Sequence, residues 1–395
     1  MRSSKSSHPP RVQLRKIRHV VATIVFGAVF FFVYWFPVVA HADDINLGVI
    51  AGISGLGSTY GKSIVQGAEM AVRDINGAGG INGRKVKLTI VDDASDPTRS
   101  AIAMRRLVSK NVDLIVGGWG SSQVLVNLDI SEQAGLPYIV VGATHPQITS
   151  LNNKWTFRVI QTDSVMATQL VHIAVNSLGL KRIAIINDSN AYGRGSRTLF
   201  AQALAQLGVK PVSAQSYRTF DKDFRPQLKR IQAANPDGIA IFGTVPAAPT
   251  IMNQARELGI KARFLGTGGL VNNALLALAP KAAEGAILMS FFDESPNADA
   301  QAWNDRIKQE LADSEDISAT VLAKWEYHAI RNIAAPCIES VGTVQSRLRD
   351  CIAQWRGELF GLNGEVYFDE LGQLVQPSVT VEIRNGTFKP IRIQK

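Results

Sequence analysis

The spacing of its apolar runs is the feature that most restricts how this chain can fold. Short stretches rich in β-branched residues begin at Ile45 (INLGVIAGI), Lys85 (KVKLTIVDD), Val112 (VDLIVGG) and Leu136 (LPYIVVGA). Between them lie segments of helical period. In the first, Ile64, Val65, Ala68, Ala71, Val72 and Ile75 recur at i, i+3/i+4 spacing and give one buried face. Strands fed through crossover helices pair in parallel. The rhythm breaks between Thr144 and Leu180, then resumes with KRIAIINDS (Lys181), VKPVSAQSY (Val209), PDGIAIFGT (Pro236) and ARFLGTGG (Ala262), whose starts lie 26 to 28 residues apart. Two series with an interruption predict an α/β fold of two doubly wound parallel-sheet lobes joined by a hinge. The last third is different: GAILMSFF leads into helix-rich sequence expected to return to the first lobe. The end, GEVYFDELGQL and VTVEIRNGTFKPI, reads as hairpin material with a turn at Asn385-Gly386. The expected division is a leader over 1–42, the first lobe over 43–162, the second over 163–291, a return to the first over 292–365, and C-terminal strands mainly on the second over 366–395.

The formal charge of +9 suggests nucleic acid until its location is considered. Arg2, Lys5, Arg11, Arg15, Lys16 and Arg18 precede Asp43 with no acid among them, which leaves 36 basic against 33 acidic residues in the remainder. No basic stripe interleaved with aromatics follows, so nucleic acid is not the expected partner. The basic stretch, the apolar run HVVATIVFGAVFFFVYWFPVVA and the small-x-small AHA ending at Ala42 read as an export signal cleaved before Asp43. The alternative is an uncleaved anchor, because about 20 apolar residues suffice to span a bilayer. Both place the same domain outside the cytoplasm, in the periplasm. The two cysteines, Cys337 and Cys351, then meet an oxidising compartment and either pair or sit as buried thiols in neighbouring helices.

Enzyme chemistry finds little support. No G-x-S-x-G occurs, and His145, His172 and His328, the histidines beyond the leader, stand at no metal-ligand spacing. Asp92-Asp93 end the second strand where a dinucleotide-binding acid would sit, and Gly55, Gly57 and Gly61 of ISGLGSTYG have a glycine spacing suggestive of a phosphate-binding turn. An exported protein meets little soluble cofactor, so none is expected. In open α/β sheets ligands bind beyond the carboxyl ends of the strands. There the third strand ends in GGWGSSQ, with Ser121 and Ser122 opening a helix, and the fourth ends in GATHPQIT. Hydroxyls and free N–H groups converging at adjacent strand ends suit a carboxylate, and Trp119 offers an aromatic face.

YGKSIVQGAEMAVRDINGAGGINGRKVKL (from Tyr60) and QARELGIKARFLGTGG (from Gln254) resemble the first helix-and-turn and a second-lobe segment of the periplasmic solute-binding proteins of the leucine/isoleucine/valine-binding type, which deliver ligands to ABC transporters. The resemblance covers nearly all of the chain after the leader and implies the type I periplasmic binding fold. It implies that Ser121 binds the ligand carboxylate, that Gly142 and Thr144, with Ala143 between them, supply main-chain and hydroxyl contacts, that Tyr60 is an aromatic wall, and that Tyr192 closes over the ligand. It also marks departures. Amino-acid binders of this type place an acid for the ligand ammonium where this chain has Gly268, and an aromatic-proline pair where it has Thr244-Val245. A buried ammonium without a carboxylate loses its hydration uncompensated. Asp163, Asp188 and Asp293 are the acids that could take its place.

The expected function is therefore capture of a small carboxylate, aromatic or branched, between the lobes and its presentation to an inner-membrane ABC permease, a task for which a monomer suffices. The alternatives are a branched-chain or other amino-acid binder of the same transport class, a ligand-sensing domain of a receptor system, and an exported dehydrogenase or hydrolase. The leader reading has its own test. Intact mass of the exported protein should correspond to a chain beginning at Asp43, whereas a full-length mass in the membrane fraction would establish the anchor.

Overall fold

The computed structural model describes residues 43–150, 153–245, 247–291, 298–310, 320–359, 365–377 and 379–391. The leader and Asp293 lie outside them. No helix among the described residues is long and apolar enough to cross a membrane.

Ile45–Ala51 (β1) is buried along almost its whole length, as a strand covered on both faces must be. It pairs in parallel with Val86–Asp92 (β2) on one side and Leu114–Gly117 (β3) on the other, and Tyr138–Val140 (β4) and Thr156–Arg158 (β5) extend the sheet in the order β2-β1-β3-β4-β5. The second sheet repeats the plan. Ile183–Asp188 (β6) lies between Ser213–Tyr217 (β7) and Gly238–Phe242 (β8), followed by Arg263–Gly266 (β9) and Ile287–Ser290 (β10). Each lobe thus has a point where strand order reverses, between β1 and β3 and between β6 and β8, and crevices form at the carboxyl ends of strands at such points. β5 lies inside the stretch where the sequence rhythm breaks. At three residues it is too short to register as a periodic run.

The tail is shared between the lobes. Val379–Arg384 (β14) joins β10 antiparallel and turns through Asn385 and Gly386, with φ of 52° and 67°, into Thr387–Pro390 (β15). Positive φ at both positions is what a two-residue hairpin turn demands. Arg356–Gly357 (β11), Val366–Phe368 (β12) and Leu374–Val375 (β13) instead form a small antiparallel sheet, and Gln373 bridges Arg158 of β5. The chain leaves the first sheet after Arg158 and reaches the second again after Val375. These two passages are laced together: Gln161 Nε2 donates to Pro377 O (2.7 Å) and Gln376 Nε2 donates to Val159 O (2.9 Å).

The late helices pack on the first lobe. In Ser58–Gly77 (α1), a Cβ on Gly67 would lie 2.2 Å from the carbonyl oxygen of Ala323, in the helix Thr320–His328. Tyr327 Oη and Arg306 Nη2 both donate to the Asp74 carboxylate of α1. Cys337 and Cys351 form a disulfide, joining the helices Ala335–Val341 and Gln345–Ala353. Closing a loop of this length contributes about 3 kcal/mol in the chain-entropy model.

The contact at Gly67 can be measured. Gly67→Ala should cost about 1–3 kcal/mol in urea unfolding by forcing two helix backbones apart. Gly77→Ala, at an exposed helix end with nothing within reach, should be neutral or stabilising by a few tenths of a kcal/mol. Equal effects at both sites would mean that helix propensity, not packing, governs Gly67.

Candidate ligand-binding cleft

A cavity of about 360 Å³ is lined by loops at the carboxyl ends of strands from both sheets. The loop after β1 is built by the acid pair that ends β2. The Asp92 carboxylate accepts the N–H groups of Ile53, Ser54 and Ala94 and the Ser54 hydroxyl. Burial opposes its charge, but these hydrogen bonds outweigh it and hold its pKa below the usual value. Asp93 accepts from Ser95 N and the Ser100 hydroxyl, and burial raises its pKa. Ser95 Oγ in turn accepts Gly57 N at 2.9 Å and donates to Ser54 O. The acid pair therefore organises a loop.

The glycines beside it serve close approach. A Cβ on Gly57 would meet the Trp119 ring at 2.5 Å, and one on Gly61 would meet the Gly52 carbonyl at 2.1 Å. Trp119 stacks on Tyr60 with centroids 4.4 Å apart and planes within 10°. The two aromatics form one rigid wall.

Ser121 and Ser122 open the helix Ser121–Ala134 (α2), Ser121 nearly fully buried with its Oγ accepting His145 N at 3.3 Å. Thr144 is also buried at the cleft, and its carbonyl accepts Asp163 N at 3.0 Å. The Gly142 N–H is taken by Gly118 O. From the second lobe, Tyr192 near the start of Ala191–Gln206 (α3) shares a 2.8 Å hydrogen bond with Thr267 Oγ1, and burial raises its pKa. Thr244 and Gly268 complete the set, so the structure brings Tyr60, Trp119, Ser121, Ser122, Gly142, Thr144, Tyr192, Thr244 and Gly268 around one cavity. Ala143 is the exception. It does not line the cavity but is buried in the core with Ile115, Val124 and Tyr138, where the chain bends after β4.

Ser122 lines the cavity, but its Oγ accepts Ala191 N at 3.2 Å across the lobes. Phe291, which reads in the sequence only as the end of a strand, is a wall residue. A Cβ on Gly268 would fall 2.0 Å from its ring. Val321 and Leu322 reach the cavity from the returning helix, which no local pattern signals.

The charges are few. Among the described residues lining the cavity there is no Lys, Arg or His, and the acids are Asp96 and Asp188. Asp96 caps the helix Pro97–Ser109 through Arg99 N. Asp188 is 2 % exposed; burial raises its pKa, while the Thr219 hydroxyl and the N–H groups of Asn190 and Ser189 work the other way. Asp163 lies outside the cavity lining. Full burial pushes its pKa up to about 7 against the Thr144 and Ser196 hydroxyls and Arg158. In place of cations, the starts of α1, α2, α3 and the helix Ala247–Glu257 lie at or next to residues of the wall, and helix N-termini attract negative charge. No cluster of His, Cys, Asp or Glu among the described residues could hold a metal.

The cleft can be set beside known proteins. The model of the periplasmic binding protein family matches residues 44–387. The leucine-, isoleucine-, valine-, threonine- and alanine-binding protein of Pseudomonas aeruginosa is 30% identical over 72% of this chain and 78% of its own. The leucine-specific-binding protein of Salmonella typhimurium is 30% identical over 82% and 85%. Among solved structures, the branched-chain amino acid transporter substrate-binding protein of Streptococcus pneumoniae, in complex with isoleucine, aligns with a TM-score of 0.80 at 23% identity over 88% of this chain and 98% of its own. An ABC transporter solute-binding protein of R. palustris, in complex with benzoate, aligns with a TM-score of 0.79 at 21% identity over 88% and 95%. The chain belongs to the periplasmic binding protein family, as an extracytoplasmic, non-catalytic substrate-binding protein of the Leu/Ile/Val-binding group of ABC transporters.

Proposed function

We propose that the cleft captures a small organic acid with an aromatic or branched body and no α-amino group, and that the closed form delivers it to a membrane permease. The observation that carries this reading is the Phe291 ring packed against Gly268. An amino-acid ligand needs a carboxylate for its ammonium, and here the space beside Gly268 is filled with aromatic carbon. Burying the ammonium there unpaired would cost several kcal/mol. The Ser121 and Thr144 hydroxyls and the N-terminus of α2 offer hydrogen bonds to an anion, each charge-assisted bond contributing about 1.5–3 kcal/mol. Trp119, Tyr60, Tyr192 and Phe291 suit the apolar body. Hinge closure follows when a ligand touches both lobes and so binds the closed state better than the open one.

A fold of this kind holds isoleucine in one relative and benzoate in another, so the architecture alone does not choose. A branched-chain amino acid is the second reading, favoured by Asp188, whose carboxylate lines the cavity from the end of β6, and by the amino acids named for the Pseudomonas and Salmonella relatives.

Calorimetric titration separates the two. Benzoate or 4-methylpentanoate should bind, and leucine should not. Binding of leucine alone, abolished by Asp188→Asn, would transfer the assignment to amino acids. Ser121→Ala and Thr144→Ala should each weaken the bound acid about 10- to 100-fold, with some fall in melting temperature because the hydroxyls also serve His145 N and the buried Asp163 carboxyl; unchanged affinity in both would remove the anion from this corner of the cleft.

A further inference from the structure

Some of the polar groups at the cavity wall are directed at the opposite lobe. Tyr60 belongs to the first lobe, yet its Oη lies 3.5 Å from Gly269 O, to which it donates, and 3.4 Å from Val245 N, from which it accepts. Both partners follow strands of the second sheet. Its ring is held flat against Trp119, so the hydroxyl is aimed across the gap without rotamer freedom being lost on closure. Ser122 does the same from α2. Its Oγ accepts the N–H of Ala191, the first residue of α3 and one of the donors that a helix start leaves without an intrahelical partner. The same helix presses on the first lobe at Gly195, where a Cβ would lie 2.7 Å from the His145 imidazole.

We propose that the hydroxyls of Tyr60 and Ser122 act as interlobe ties that favour the closed cleft independently of the guest, and that these two groups set how readily it closes instead of choosing what it holds. The ligand-free protein then populates the closed form, and the apparent affinity for any ligand scales with that population. Since the factor is common to all ligands, it cancels from their ratio. Ser121 and Ser122, adjacent at the start of one helix, thereby divide the work: one faces the guest, the other faces the neighbouring lobe.

The test needs no ligand. Spin labels on Ile102→Cys in the first lobe and Leu278→Cys in the second, both exposed, report the interlobe distance by pulsed electron resonance, the native cysteines being paired with each other. The labelled protein should show a short-distance population, and Tyr60→Phe and Ser122→Ala should each lower its closed-to-open ratio by about two- to tenfold, the effect of two long hydrogen bonds in the first and of one in the second. Tyr60→Phe keeps the stacked ring, and an unchanged melting temperature in both variants would separate closure from fold stability. A ligand-free distribution with no short-distance population, or one that both substitutions leave unaltered, overturns the proposal. A fall in melting temperature that accompanies any distance change in full would likewise assign these residues to the fold and overturn it.

Discussion

Arg158 carries a charge into the interior, and the arrangement of the cleft depends on how that charge is satisfied. Its guanidinium is fully buried and its pKa is pushed down to about 10 by desolvation, with Asp163 and Asp369 acting in the opposite direction. An isolated buried cation is prohibitively costly, so its donors need acceptors. Each of its three nitrogens has one: Nε donates to Gln373 Oε1 at 2.6 Å, Nη1 to His145 O at 2.7 Å and Ala143 O at 3.4 Å, and Nη2 to Thr149 Oγ1 at 2.9 Å. One side chain thus fixes the end of β5, the loop that carries Thr144, and the C-terminal segment to a common centre. The loop that offers a hydroxyl to the cleft is held rigid from behind, by groups that never reach the cavity.

The same economy governs the first loop of the cleft. A carboxylate gathers three backbone N–H groups, a neighbouring serine gathers a fourth, and glycines let an indole and a loop carbonyl approach more closely than any side chain would permit. Such loops are irregular, and their backbone groups need partners as strictly as those of a helix. Here acidic side chains supply them. The result is a polar, preorganised rim around a cavity whose lining has no basic side chain among the described residues, suited to holding a guest by dipoles and shape.

The sequence disclosed the two-lobed plan because strands buried on both faces are nearly continuous apolar runs, and crossover helices impose a regular length between them. It disclosed most of the wall because parallel sheets bind at strand ends, and GGWGSSQ and GATHPQIT lie there. What escaped did so for identifiable reasons. β5 is shorter than any window in which period can be read. Ala143 sits between two wall residues, and the bend after β4 that turns it into the core leaves no periodic signal in the sequence. The acid pair after β2 has the same appearance whether it binds a ribose or a turn. Phe291 and Leu322 come late in the chain, and their meeting with first-lobe residues such as Tyr60 and Trp119 is a product of the hinge topology. Ser122 shows the limit most sharply, since its hydroxyl is chemically identical to that of Ser121 and its partner lies on another lobe.

The lacing of the two crossing strands has a mechanical consequence. Gln161 reaches the backbone at Pro377 while Gln376 reaches back to Val159, so each passage grips the other a short distance along its length. Sliding one past the other by a single residue would break both grips, whereas flexing them together like a two-ply ribbon would break neither. These two bonds therefore oppose sliding of one passage past the other and leave joint bending of the pair unopposed.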